Sequence, residues 1–106
     1  SGDSSATVAQ RVARARAAQA RRFADHPGHA VNADAEGRLL EEIATPDAEG
    51  RALLTKVAER FGLTARGYHR VLRVARTIAD LDDSDPVRLP HVAEAVSYRL
   101  ALAKEA

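Results

Sequence analysis

Between Leu63 and Leu81 the chain reads LTARGYHRVLRVARTIADL. On a helical wheel of about 100° per residue these positions divide into two opposed faces. Tyr68, Val71, Leu72, Ala75, Ile78 and Ala79 make an apolar stripe, and Arg66, His69, Arg70, Arg73 and Arg76 make a cationic arc on the other side. No carboxylate falls between Glu59 and Asp80, whereas a solvated helix usually interleaves its charges to gain i,i+4 pairs. A guanidinium is a planar fork of donors that matches phosphate and carboxylate oxygens, so the chemistry on offer is anion recognition. Arg66 is the best-placed member, because it follows the Thr64 cap in the first turn, where unpaired N–H groups and the helix dipole already favour an anion. The other reading of the arc is a solvated face whose arginines pair with the acidic second helix or with Asp82-Asp83-Ser84-Asp85. Spacing alone leaves both open.

Nothing else in the chain has the spacing of a catalytic site. His26 and His29 sit in a Pro/Gly loop, His69 and His91 are far apart, and no HExxH pattern occurs, so no metal site is expected. The DDSD run lacks the alternating ligands and closing Glu of an EF-hand loop and reads as a solvated helix end. No GxxxxGK[ST] loop is present, so the chain by itself is expected to bind no nucleotide or other cofactor and to have no enzymatic activity.

The elements that must carry these residues are helical. The first helix is expected from Ser4 or Ser5, behind good N-caps, to about Asp25, where His26-Pro27-Gly28 is a stop signal; Val8, Val12, Ala15, Gln19 and Phe23 form its stripe. Residues 26–34 read as a loop and about 35–43 as a short second helix burying Leu39, Leu40 and Ile43, weakened by Gly37. Thr45-Pro46-Asp47 reads as a helix opening with Thr45 as N-cap and Pro46 in the first turn. That third helix runs to about Phe61, burying Leu53, Leu54, Val57, Ala58 and Phe61, and Gly62 supplies a left-handed cap. The fourth helix carries the arginines and is expected to fray into 82–85. A last helix spans about Pro90 to Ala103 with Val92, Ala95, Val96 and Leu100 inside, after an extended lead-in at 87–89. The expected fold class is all-α, a five-helix bundle.

At 106 residues the chain has room for one domain with a modest core. Aromatics make up only 4%, and the apolar share leans on Ala and Leu, which favours helix packing over a β-sandwich. The net charge of +1 conceals an uneven distribution. Residues 4–24 carry Arg11, Arg14, Arg16, Arg21 and Arg22 with no acid, while residues 34–50 hold most of the acids of the first half. Arg11 and Arg14 are therefore candidate nucleic-acid or subunit contacts, although no aromatic residue is interleaved for base stacking. Cysteine is absent, which excludes disulfides and thiolate metal sites and fits a cytoplasmic origin. No apolar run approaches a membrane span of about 20 residues. Methionine is absent too, so residues 1–3 read as a tail or cloning scar and 4–106 as one domain of a longer protein.

The segment LTARGYHRVLRVARTIADL, with PHVAEAVSYR after it and SSATVAQRVARARAAQARR and HAVNAD before it, resembles the C-terminal helical domain of magnesium-chelatase-like AAA+ ATPases of the ComM/YifB type. The resemblance covers residues 4 to 98. It implies a lid on an ATPase core lying upstream, with Arg66 at the position of the family's nucleotide-sensing sensor-2 arginine. Arg70 and Arg73, one and two turns on, are implied contacts to the core or to a neighbouring subunit. It further implies ATP and Mg in the full-length parent, hexameric rings, DNA reached through the whole protein, and no membrane. A free-standing helical DNA-binding domain and a helical protein-interaction module are the competing readings; salt-dependent DNA binding by the chain would favour the former.

Overall fold

Side-chain caps set where three of the helices begin. The computed structural model describes residues 4–105, with side-chain surroundings to residue 101; the expected tail at residues 1–3 lies outside them. Among the described residues there are five helices and no strand: α1 (Ser5–Arg22), α2 (Gly37–Ile43), α3 (Ala48–Phe61), α4 (Ala65–Leu81) and α5 (Leu89–Glu105). A turn of 3₁₀-helix at Asn32–Asp34 interrupts the α1–α2 loop. Ser4, Asp47 and Thr64 cap α1, α3 and α4, their side-chain oxygens accepting from the N–H groups of Thr7, Gly50 and Gly67 at 3.1, 2.7 and 3.0 Å.

α4 is the central element. It packs against α5, α1, α2 and the 3₁₀ turn, while α3 leans on α5. The core gathers Leu40, Leu54, Val71, Leu72, Val87 and Val92 around the small residues Ala44, Ala75 and Ala79. These alanines on α4 and before α3 let the helices approach closely, which is the packing an Ala-rich, aromatic-poor sequence can support.

Several boundaries differ from the sequence expectation for identifiable reasons. α1 stops at Arg22 rather than Asp25, because Phe23 leaves helical geometry to enter the core and Ala24 and His26 bond back only three residues. α2 opens at Gly37 rather than Ala35, since Ala35 and Glu36 are extended and the Ala35 carbonyl is taken by Arg73. Asp47, not Thr45, caps α3. Pro46 is drawn into a parallel bridge with Val87, with Asp47 N–H donating to the Val87 carbonyl at 2.9 Å, while the Thr45 hydroxyl turns back to the Glu41 carbonyl.

Phe61 was expected in the core and is 53% exposed. Gly62, at φ +63°, reverses the chain so that Leu63 N–H reaches the Ala58 carbonyl at 3.0 Å, and Leu63 packs on the core in place of Phe61. α4 does not fray at its end: Asp83 takes a left-handed conformation and Ser84 N–H returns to the Ala79 carbonyl at 2.8 Å. α5 starts one residue before Pro90, at Leu89. Of the stripe expected for the first helix, Ala15, Gln19 and Phe23 are buried, and Val8 and Val12 remain exposed.

Candidate anion-binding site

The cationic arc of α4 is split by its neighbours. Toward the C-terminal end, α1 and the 3₁₀ turn close over it. Arg76 lies 4% exposed, which corrects its expected place on the outward arc. One of its terminal nitrogens, Nη2, sits 3.0 Å from Asp80 Oδ1 and donates to the Ser84 carbonyl at 2.8 Å; the other, Nη1, donates to the carbonyls of Ile43 and Asp85 at 3.1 and 2.8 Å. Burial pushes the Arg76 guanidinium below its ordinary value, and the Asp80 charge opposes that fall. Arg76 is thus a tie between α4, the end of α2 and the 82–88 loop.

Asp80 is the hub of this closed end. It accepts from Arg22 Nη1 and Nη2, both at 2.8 Å, and from Asn32 Nδ2 at 2.8 Å. Burial alone would raise its carboxyl, but the hydrogen bonds from Arg22 and Asn32 and the charges of Arg76 and Arg22 outweigh burial and hold it below the usual carboxylate range. Asn32 is buried and fully used: its N–H donates to Gln19 Oε1 at 2.7 Å, its Oδ1 accepts from Arg22 at 2.9 Å, and its Nδ2 also reaches Thr77 Oγ1 at 3.1 Å. One residue further along the turn, Ala33 faces the open half of α4. Asp34 braces that turn by accepting from the N–H groups of Ala30 and Val31, which lowers its carboxyl.

Toward the N-terminal end, the arc is open. Arg66, His69, Arg70 and Arg73 line a depression of about 420 Å³ together with Ala33 and Glu36. Arg66 and Arg70 are exposed and make no hydrogen bond or ion pair among the described residues. Arg73 is half-buried, and its Nε donates to the Ala35 carbonyl at 2.8 Å, which fixes the plane of its guanidinium. His69 is half-buried against the Tyr68 ring. The structure therefore brings Arg66, Arg70 and Arg73 together, as the sequence predicts, and adds Glu36 from another element. Nothing in the spacing of residues 63–81 signals Glu36; only the tie from Arg73 to the residue before it brings it alongside.

The remaining candidates fall elsewhere. Arg11 lies over the end of α4, with its Nε 3.4 Å from the Leu81 carbonyl, and Arg14 is exposed on α1 away from the depression. Arg22, one of the five arginines of α1, is committed to Asp80. The DDSD run is not merely solvated: Asp82 pairs with His91 at 2.9 Å, and the Ser84 and Asp85 carbonyls receive Arg76. His91 accepts from Arg88 N–H through Nδ1 at 2.9 Å, so Nε2 carries the proton donated to Asp82. No group of three or more His, Cys, Asp or Glu side chains poised for a metal ion occurs among the described residues, and no described helix is long and apolar enough to cross a membrane.

Fold and groove together define an all-helical domain with a ridge of arginines lining a depression on its central helix. Residues 2–99 match the family described as magnesium chelatase, subunit ChlI C-terminal, and the chain belongs to that family. It is 40% identical over 98 residues to the uncharacterized protein YifB of Escherichia coli and 35% identical over the same length to the competence protein ComM of Haemophilus influenzae. It is also 39% identical to the uncharacterized protein Rv2897c of Mycobacterium tuberculosis. Each match takes in 92% of this chain but only 18–19% of the relative, so the chain spans less than a fifth of the proteins it resembles.

Proposed function

We propose that this chain is the lid of a magnesium-chelatase-like AAA+ ATPase and that Arg66 contacts the nucleotide held by the parent's core. The observation that carries this reading is the position of Arg66: in the first turn of α4, exposed, and without a carboxylate partner among the described residues. A guanidinium left so, beside two more on one face, suits the terminal phosphate of a nucleotide. The residues around the depression fit a phosphate chain; with Glu36 as their one carboxylate, they do not fit the accompanying magnesium ion, which is left to the core. When bound, ATP supplies the phosphoryl group whose loss can be sensed. The chain's own part is to place a cation against that group, and α4, one continuous helix, links Arg66 to the far end where Asp80 holds α1.

Arg70 and Arg73 line the same depression and are then available to the core, the nucleotide it holds included, or to the adjoining subunit of a ring, a hexamer in this reading. The name of the ComM relative and the family resemblance favour a cytoplasmic role in competence-related DNA processing, with DNA engaged by the whole parent. The alternative of a free-standing DNA-binding domain is weakened by α1, where Arg22 is consumed by Asp80.

The test is Arg66→Ala in the full-length parent. Unchanged folding with ATP turnover reduced about a hundredfold is expected for a cation that stabilises developing phosphate charge. Turnover at the wild-type rate would remove the assignment.

A further inference from the structure

We propose that Arg66, Arg70 and Arg73 form one extended site for a chain of phosphate groups, and that Glu36 is an opposing charge beside it that limits how tightly that chain is held. The inference rests on Arg66 meeting a nucleotide phosphate and adds the groups that would hold the rest of the chain.

Arg66, Arg70 and Arg73 fall within about 60° of one another around the helix axis and extend along about 10 Å of it. A single oxyanion is satisfied by one bidentate guanidinium; three in file on one open face suit several linked oxyanions. Further along α4, Arg76 is turned about 60° or more around the axis from these three and is consumed by Asp80 and the carbonyls of Ile43, Ser84 and Asp85. The open half has no such consumption. Arg66 and Arg70 carry no partner among the described residues, and Arg73 uses only Nε, leaving both Nη groups for a ligand. Being held by the Ala35 carbonyl, Arg73 loses less conformational freedom on binding than a loose side chain does.

Glu36 is the other half of the device. It lines the same depression, is exposed, and pairs with none of the three arginines. An unpaired carboxylate there repels an arriving anion and speeds its departure. The one ring that lines the depression, His69, is half-buried against Tyr68, and no Phe, Tyr or Trp joins it, so the site offers phosphate contacts without the row of stacking rings that single-stranded nucleic acid uses.

The test is titration of the ¹⁵N-labelled chain with inorganic tripolyphosphate at low ionic strength, read by amide shifts and affinity. Shifts are expected at residues 33–36 and 66–73. Arg70→Ala and Arg73→Gln should each weaken binding about tenfold, the loss expected for one charge-assisted contact. Glu36→Gln should tighten it about two- to fivefold. Thermal melts identify any variant that fails to fold, and the exposed Arg70 provides a variant without a packing role. Equal affinity for sulfate, shifts confined to α1, or tighter binding of a (dT)12 oligonucleotide or polyglutamate at the same residues would each overturn the proposal. Weakening by Arg66→Ala with no change in Arg70→Ala and Arg73→Gln would remove the extended site and leave the Arg66 reading standing. Failure of the Arg66 reading itself is seen separately, as unaltered ATP turnover in the parent.

Discussion

Arg22 on α1 and Asp80 on α4, 58 residues apart in the chain, meet through two parallel hydrogen bonds of 2.8 Å. This fork is the main polar tie between the two helices, and Arg76 meets the same carboxylate from within α4. A buried carboxylate serving two guanidiniums is stable only while it stays ionised, because its neutral form leaves both cations without their partner.

Stability should therefore fall in acid through Asp80. Its carboxyl lies below the ordinary carboxylate value in the folded chain, so its contribution is complete above the unfolded value of about 4 and is lost as pH drops through the folded one. Asp80→Asn is expected to lower stability by about 3–5 kcal/mol at neutral pH, the usual consequence of breaking a buried pair. The gap between variant and wild type should begin to narrow below about pH 4 and close only as the folded carboxyl itself is protonated, at lower pH. Urea denaturation across pH 2–7 checks this, and a gap that stays constant throughout would contradict it.

Asn32 is expected to matter more than a loop residue usually does. It donates to Asp80 and Thr77 and accepts from Arg22, so Asn32→Ala removes partners from three groups at once. A loss of about 1–3 kcal/mol is expected, the penalty for buried polar groups left unpaired. Because the same turn positions Ala33 and the start of α2, amide shifts in Asn32→Ala should spread to residues 33–36; a melt and an NMR spectrum matching wild type would refute the bracing role.

The sequence makes the helices legible because their signals are local. Thr64 and Gly62 each announce an end in their immediate neighbours, and the apolar stripe of 63–81 needs only helical periodicity. Arg76 is not legible in this way. It looks like its neighbours on the wheel, and its acceptors are backbone carbonyls at Ile43, Ser84 and Asp85 that no side-chain pattern reveals. Asn32 is hidden for a related reason, since its burial depends on where α1 crosses α4. Phe61 is overestimated because hydrophobic spacing ignores the chain reversal that lets Leu63 take its place. The ridge of Arg66, Arg70 and Arg73 is readable as periodicity, whereas Glu36 enters only through the fold.

Gly50 is required by space rather than by backbone conformation. A Cβ built there would stand 2.8 Å from Asp47 Oδ1, 3.1 Å from Val92 Cγ2 and 3.2 Å from Pro46 Cβ. The first of these atoms accepts the capping hydrogen bond from Gly50 N–H. Gly50→Ala gains about 1 kcal/mol of helix propensity, but it disturbs the cap and crowds the junction of α3 with α5. A net loss of about 1–3 kcal/mol is expected, measured by chemical denaturation. Equal or greater stability would show that Asp47 and Val92 yield easily.

The sharpest contrast lies within α4 itself, between arginines that sequence periodicity treats alike. Arg76→Ala removes the i,i+4 partner of Asp80 and leaves the carbonyls of Ile43, Ser84 and Asp85 without their donor. About 3–5 kcal/mol of lost stability is expected for breaking that buried pair. Arg66→Ala and Arg70→Ala touch exposed side chains with no partner among the described residues and should alter stability by no more than about 0.5 kcal/mol. Removing either should even relieve some repulsion between neighbouring cations, an effect that shrinks with added salt. Guanidinium chloride is ionic and would mask that term, so the three variants are best compared in urea at low and high salt. Large destabilisation by Arg66→Ala or Arg70→Ala would mean that these residues hold the fold together, and the ridge would then have no cations to offer a ligand. Stability unaffected by Arg76→Ala would mean that the closed end of α4 is not the tie its hydrogen bonds describe.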